Sequence, residues 1–210
     1  MRIAKEGNIF IYPLILITIA LFVLFSIGYI SIYLILASFL LLIFCLNFFR
    51  DPLRVPPLGK KLIIAPADGK IIKIDKIFDK DIGEANIISI FLNIFDVHVN
   101  RMPLNGKVLD ICYKKGSFIM AFDHKACDEN ERNIIKVETN FGKLKIIQIA
   151  GLLARRIVCY AKVGESMEIG SRLGFMRFGS RIDLIIPINI KLKIELGQKV
   201  MGNKTIIATF

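Results

Sequence analysis

Ile190-Lys191-Leu192-Lys193-Ile194-Glu195-Leu196 alternates strictly, so an extended chain puts four apolar residues on one face and three charged residues on the other. Lys143-Leu144-Lys145-Ile146-Ile147-Gln148-Ile149 and Gly69-Lys70-Ile71-Ile72-Lys73-Ile74 carry nearly the same rhythm, with lysines on the expected wet face. Glycines close such runs at short intervals, from Gly83 and Gly106 through Gly142, Gly151 and Gly164 to Gly197 and Gly202. Many short strands with glycine turns predict a mainly β fold, an antiparallel sandwich or barrel-like domain over residues 61–210. Within it only Ser117–Arg132 reads as helical or irregular.

Toward the N-terminus the pattern changes completely. From Asn8 to Phe49 there are 42 consecutive residues without Asp, Glu, Lys, Arg or His. A bilayer-spanning helix needs roughly 20 apolar residues, so this run predicts two helices, near Ile9–Phe25 and Ile30–Phe49, broken at Ser26-Ile27-Gly28-Tyr29. It is too long for a signal-peptide core and has no small-residue cleavage site. Arg2 and Lys5 flank one end, Arg50, Arg54, Lys60 and Lys61 the other, which favours a membrane hairpin with both ends in the cytoplasm, spanning or inserted in one leaflet. Pro52, Pro56 and Pro57 make residues 50–60 a linker that cannot stay helical. The expected organisation is a hairpin over residues 1–49, the linker, and a β domain.

The chain carries a formal net charge of +11 and a mean hydropathy of +0.58. Arg2, Lys5 and Glu6 give the first 49 residues +1, leaving +10 on the rest. No dense basic cluster with interleaved aromatics and no helix-turn-helix or finger spacing accompanies that charge, so no nucleic-acid partner is expected. A tethered basic domain suits anionic lipid head groups instead. Cys45, Cys112, Cys127 and Cys159 contain no C-x-x-C pair; together with His124 they give no metal-ligand spacing, and no metal is expected.

A faint internal echo links Val163-Gly164-Glu165, leading through Gly170 to Leu173, with Leu196-Gly197-Gln198, leading through Gly202 to Ile206. The unit is similar to the hairpins of lipoyl- and biotinyl-carrier sandwiches. No hairpin tip presents the exposed lysine that a carrier needs, so the echo speaks to fold.

With two histidines, acid–base candidates are few. On a strand, Asp96, His98 and Asn100 point the same way, and an aspartate beside a histidine can hold its tautomer. Asp68 lies in Ala65-Pro66-Ala67-Asp68-Gly69-Lys70, which by itself reads as an Asp-Gly turn. Gly116-Ser117, Gly170-Ser171 and Gly179-Ser180 are equivalent by spacing, and no G-x-S-x-G elbow is present.

Five stretches taken in order single out one family. Pro66-Ala67-Asp68-Gly69-Lys70-Ile71, Asp96-Val97-His98-Val99-Asn100-Arg101-Met102-Pro103 with Gly106, Glu129-Asn130-Glu131-Arg132-Asn133, Ile149-Ala150-Gly151 through Ala154-Arg155-Arg156-Ile157, and Phe178-Gly179-Ser180-Arg181-Ile182-Asp183 resemble the short prokaryotic phosphatidylserine decarboxylases. The resemblance implies a proenzyme that cuts itself between Gly179 and Ser180. The products would be a β chain of residues 1–179 and an α chain of 180–210, a heterodimer of its own fragments with room for a homo-oligomer. Ser180 would become a covalent pyruvoyl group, the only cofactor, which forms a Schiff base with the amine of phosphatidylserine and yields phosphatidylethanolamine. His98 would be the general base, with Asp68 and Asp96 as its orienters. Arg155, Arg156, Lys60 and Lys61 would meet lipid phosphates, and the enzyme would sit on the cytoplasmic side of the cell (inner) membrane. Longer bacterial members resemble Asp-x-His-x-x-His-Met-Pro, whereas this chain has Arg101 at the second histidine. Either His98 serves both steps or another group replaces the missing one. The same chemistry on an archaeal-type ether lipid serine, and a non-catalytic membrane-anchored lipoyl-like adaptor, are the alternatives.

Overall fold

The computed structural model describes residues 2–59, 61–116, 130–151, 157–177 and 179–210. They form two compact units, residues 1–53 and 54–210.

The first unit is a helical hairpin. Helix α1 (Asn8–Ser26) and helix α2 (Ile32–Phe48) lie within two residues of the expected spans. Gly28, at φ 84°, makes the turn between them, and Ser31 caps α2 by accepting from the Tyr33 N–H. Both helices are apolar all round. Ile9, Leu16, Phe22, Tyr33 and Leu40 are exposed on the outside, while Thr18 and Ser38 hydrogen-bond across the pair at 2.5 Å. By length and composition one helix, Lys5–Ser26, is long enough to cross a bilayer, and the second is shorter. The hairpin closes at its base, where strand β1 (Arg2–Ile3) pairs with β2 (Arg50–Asp51) and the Ala4 N–H donates to the Phe49 carbonyl at 2.7 Å. The two ends of the hairpin therefore meet.

The second unit is a curled, half-barrel antiparallel sheet with two small sheets. Its strands are β3 (Leu62–Ile64), β4 (Gly69–Asp79), β5 (Gly83–Leu92), β6 (Val99–Arg101), β7 (Gly106–Lys114), β8 (Arg132–Thr139), β9 (Gly142–Ala150), β10 (Ile157–Cys159), β11 (Ser166–Met167), β12 (Arg172–Met176), β13 (Ser180–Pro187), β14 (Lys191–Leu192), β15 (Lys199–Val200) and β16 (Ile206–Thr209). The eight-stranded sheet runs β11-β7-β8-β9-β13-β5-β4-β15, and the small sheets run β10-β12-β6 and β14-β16-β3. Ile71, Ile88, Ile90, Val108, Ile135, Ile146, Ile182 and Leu184 fill the core inside the curl.

The echo seen in the sequence is a structural repeat. Gly164 and Glu165 exchange backbone hydrogen bonds with Val108 at 2.8 Å each, and Gly197 and Gln198 do the same with Ile71 at 2.8 and 2.9 Å. Met167 then pairs with Gly106 as Val200 pairs with Gly69. Two interlocked hairpins thus build the domain, each fed by a glycine in the left-handed region, Gly164 at φ 86° and Gly197 at φ 85°.

Two expectations change. Only Lys191–Leu192 of the alternating stretch 190–196 is strand, and Leu196 is exposed beside the Gly197 turn, although Ile190 and Ile194 are buried. Lys145 is not on a wet face. It is buried, and its ammonium lies 2.7 Å from both Asp79 carboxylate oxygens and 2.6 Å from Asp81. The bond to Lys145 is the main cause holding the Asp81 carboxyl below its ordinary value.

Candidate active site

Ser180 opens β13, the strand at the centre of the large sheet, and stands opposite Leu92 of β5 and Ala150 of β9. It shares the inner face with Ile182 and Leu184 and is fully buried. Its hydroxyl has no hydrogen-bond partner among the described residues. A buried hydroxyl without a partner costs about 1–3 kcal/mol, so a fold that retains one invites a functional explanation. The preceding Gly179 sits at φ 71°, a conformation other residues adopt only with strain, while an added Cβ would meet nothing within 4 Å. Backbone conformation, not space, requires glycine here.

His98 approaches from the other side of the same corner. Beyond Leu92 the chain turns at Asn93–Asp96, and His98, just before β6 rather than on a strand, has its carbonyl accept from the Met176 N–H at 3.2 Å. Segments 92–98 and 176–180 are thereby tied at both ends, Leu92 to Ser180 and His98 to Met176. The imidazole is fully buried, tilted against Phe175 with ring centroids 6.5 Å apart. Its Nδ1 lies 2.9 Å from the Asp96 backbone carbonyl. A carbonyl only accepts, so Nδ1 carries the proton and Nε2 is the basic nitrogen. Asp96 sits in a turn rather than on a strand, and its carboxylate accepts from the Asn93 N–H at 2.8 Å, fixing the turn that presents this carbonyl.

Asp68, expected as an orienter of the histidine, has its carboxylate committed elsewhere. It makes a two-pronged pair with the Arg54 guanidinium and accepts from the Gly202 N–H at 2.8 Å. Arg54 also donates to the Gly202 carbonyl, and Asn203 Nδ2 donates to the Arg54 carbonyl. The repeat explains this arrangement: Asn105, at the corresponding place in the other hairpin, accepts from the Ile169 N–H at 2.7 Å. Both turns need a side-chain acceptor, and Gly202 must lack a Cβ because one would sit 2.9 Å from the Ala67 backbone. Asp68→Ala removes the carboxylate from a part-buried guanidinium and the acceptor from the Gly202 N–H, so unfolding stability should fall by about 2 kcal/mol or more. Denaturant titration measures this, and a change under 1 kcal/mol would contradict the clamp.

Arg101 occupies the position of the second histidine, but it follows Asn100 on the strand and so faces the other way, donating to the Gly170 carbonyl at 3.2 Å. Arg181 likewise lies on the opposite face from Ser180, fully buried and forked onto Asp183, with a further bond to Ser89. Lys61 is exposed. Lys60, Arg155, Arg156, His124 and Cys127 lie outside the described residues. Burial pushes the Cys159 thiol up.

The sequence alone assigns no site role to Arg54, Gly202 and Asn203 or to the buried amides Asn133, Gln148 and Asn100. The repeat spacing that relates Asp68 to Asn105 was the available signal for the clamp. Nothing in a linear pattern joins residues on β6, β8 and β9.

The profile of the family described as phosphatidylserine decarboxylase matches residues 41–208. Among curated proteins, the chain is 43% identical over 174 residues to a phosphatidylserine decarboxylase proenzyme of Chlorobium limicola, covering 82% of each chain. It is 44% identical over 171 residues to the protein of that name from Geobacter sp. strain M21, covering 80% of this chain and 78% of the relative. A third, from the Wolbachia of Brugia malayi, is 44% identical over 171 residues, with 78% and 74% covered.

Proposed function

Because the chain belongs to the phosphatidylserine decarboxylase family, we propose that it is a proenzyme that cleaves itself at Gly179-Ser180 and then decarboxylates phosphatidylserine to phosphatidylethanolamine. What supports this is a fully buried serine hydroxyl without a partner among the described residues, preceded by a glycine at φ 71°, and a buried histidine of fixed tautomer on the segment whose ends are tied to Ser180 and Met176.

In processing, His98 Nε2 takes the Ser180 hydroxyl proton as the oxygen attacks the Gly179 carbonyl carbon, and the amide becomes an ester. Loss of the α-proton of residue 180 expels the Gly179 carboxylate and leaves dehydroalanine. Water then replaces its nitrogen, releasing ammonia and leaving a pyruvoyl group on residue 180. The site fits that group, since it arises from an atom already buried there. A pyruvoyl group held at residue 180 would supply a carbonyl that can bond the substrate amine and act as an electron sink for loss of CO₂. His98 then stands as the proton donor for the carbon that lost CO₂.

The α chain, residues 180–210, would remain bound without a covalent link. β13 pairs with β5 along eight residues and with β9 along six, both in the β chain, and the Arg54–Asp68 clamp grips Gly202 and Asn203. The apolar hairpin with joined basic ends supports attachment to the cytoplasmic face of the cell membrane, and Lys61 is assigned to lipid phosphates.

The test is CO₂ release from phosphatidylserine vesicles by purified protein. We expect release that borohydride abolishes and that falls with added salt, the salt dependence being weaker in Lys61→Glu. Activity indifferent to borohydride would contradict a carbonyl cofactor.

A further inference from the structure

Three buried amides run in a line from the large sheet to the small one. Asn133 Nδ2 on β8 donates to Gln148 Oε1 at 3.1 Å, and Gln148 Nε2 on β9 donates to Asn100 Oδ1 on β6 at 2.8 Å. Gln148 and Asn100 are fully inaccessible and Asn133 is nearly so. The crossing depends on Gly174, the strand partner of Asn100. A Cβ there would lie 2.5 Å from Gln148 Nε2 and 2.2 Å from the Val158 carbonyl oxygen.

The line ends on an open valence. Asn100 Nδ2 is buried and has no partner among the described residues. In this arrangement Asn100 Oδ1 accepts from Gln148, which leaves Nδ2 as the end that faces onward. Position follows from register. Gln148 stands opposite Ile182 on the inner face, so it is the diagonal neighbour of Ser180, and Asn100 lies two residues after His98. The amide therefore joins the segment that carries the histidine to the pair of strands that carries the serine. Arg101 faces away, so on this side of β6 the polar group next to His98 is Asn100.

We infer that Asn100 Nδ2 is the donor that binds the carboxylate of the substrate's serine head group and orients it for loss of CO₂. This rests on the decarboxylase function proposed above. Of the two acceptors on that head group, the carboxylate belongs beside residue 180, where its carbon–carbon bond must break, whereas the phosphate leads back toward the membrane. A neutral donor suits the task. A cation would hold the ground-state carboxylate more firmly than the transition state, in which the charge is leaving, and would slow the step. The amide fixes direction without adding formal charge.

Asn100→Asp keeps the shape and the bond from Gln148 and replaces the donor by an oxygen; Asn100→Ala removes both. We expect both variants to self-process completely by intact mass and to lose about 10- to 100-fold in kcat/KM for phosphatidylserine. The inhibition constant for phosphatidylethanolamine, which lacks the carboxylate, should stay within about twofold of wild type. Calorimetry with short-chain lipids on borohydride-reduced protein, which cannot turn over, should show the same split: weaker binding of the serine lipid and unchanged binding of the ethanolamine lipid. Equal losses for both lipids, a block in processing, or full activity of Asn100→Asp would each overturn the assignment. An unprocessed wild-type chain would instead remove the underlying function.

Discussion

Ser180→Ala should yield a folded, uncut chain with no detectable decarboxylation. The substitution removes one buried oxygen that has no partner among the described residues, so it costs little packing and relieves an unpaired hydroxyl. The variant should therefore unfold at or slightly above the denaturant concentration of the uncut wild-type precursor while losing activity entirely. That pairing separates chemistry from structure. Normal cleavage in Ser180→Ala would show that another residue supplies the nucleophile, and the five-motif resemblance would then have misled.

His98→Ala should slow self-cleavage by at least about 100-fold, the usual range for a positioned general base being 10²–10⁴. Its carbonyl bond to Met176 is made by the backbone and survives the change, so Ser180 keeps its place. Electrophoresis of the freshly made protein over time would follow conversion of the full-length band. A variant that cleaves at the normal rate but cannot release CO₂ would confine His98 to turnover. Arg101 cannot take over processing from its present position, because it faces Gly170 and not the histidine's side of the strand.

The helical hairpin was legible almost to the residue, because charge is excluded from it completely and a glycine marks the turn. The β domain was legible as a class. Its alternation survives where one face is core, as at Ile190 and Ile194. It misled at Lys145, where a lysine expected in water is buried and held by Asp79 and Asp81. Period-two patterns register which side a residue takes, not whether that side is wet, and a curled sheet buries parts of both. The echo between Gly164 and Gly197 was visible, but its meaning for Asp68 was not. Only the paired turns reveal that an acceptor there closes a hairpin, as Asn105 does in the other copy.

At the site, Gly179, Ser180 and His98 stood out through resemblance, and the fold adds the physical terms. Asp96 acts on the imidazole through its backbone carbonyl, a contact no residue pattern encodes. The amide line from Asn133 to Asn100 spans three strands far apart in sequence, so it exists only once the sheets face each other.

The most direct measurement is the intact mass of the purified protein. Self-cleavage predicts two species in equal amount, residues 1–179 ending in a free carboxylate and a 31-residue fragment beginning at residue 180. The fragment should be lighter by one ammonia than a peptide that starts with serine, and the two masses should sum to the precursor plus one water minus one ammonia. A single full-length mass from protein that releases CO₂, or a fragment that begins with unmodified serine, would contradict the account.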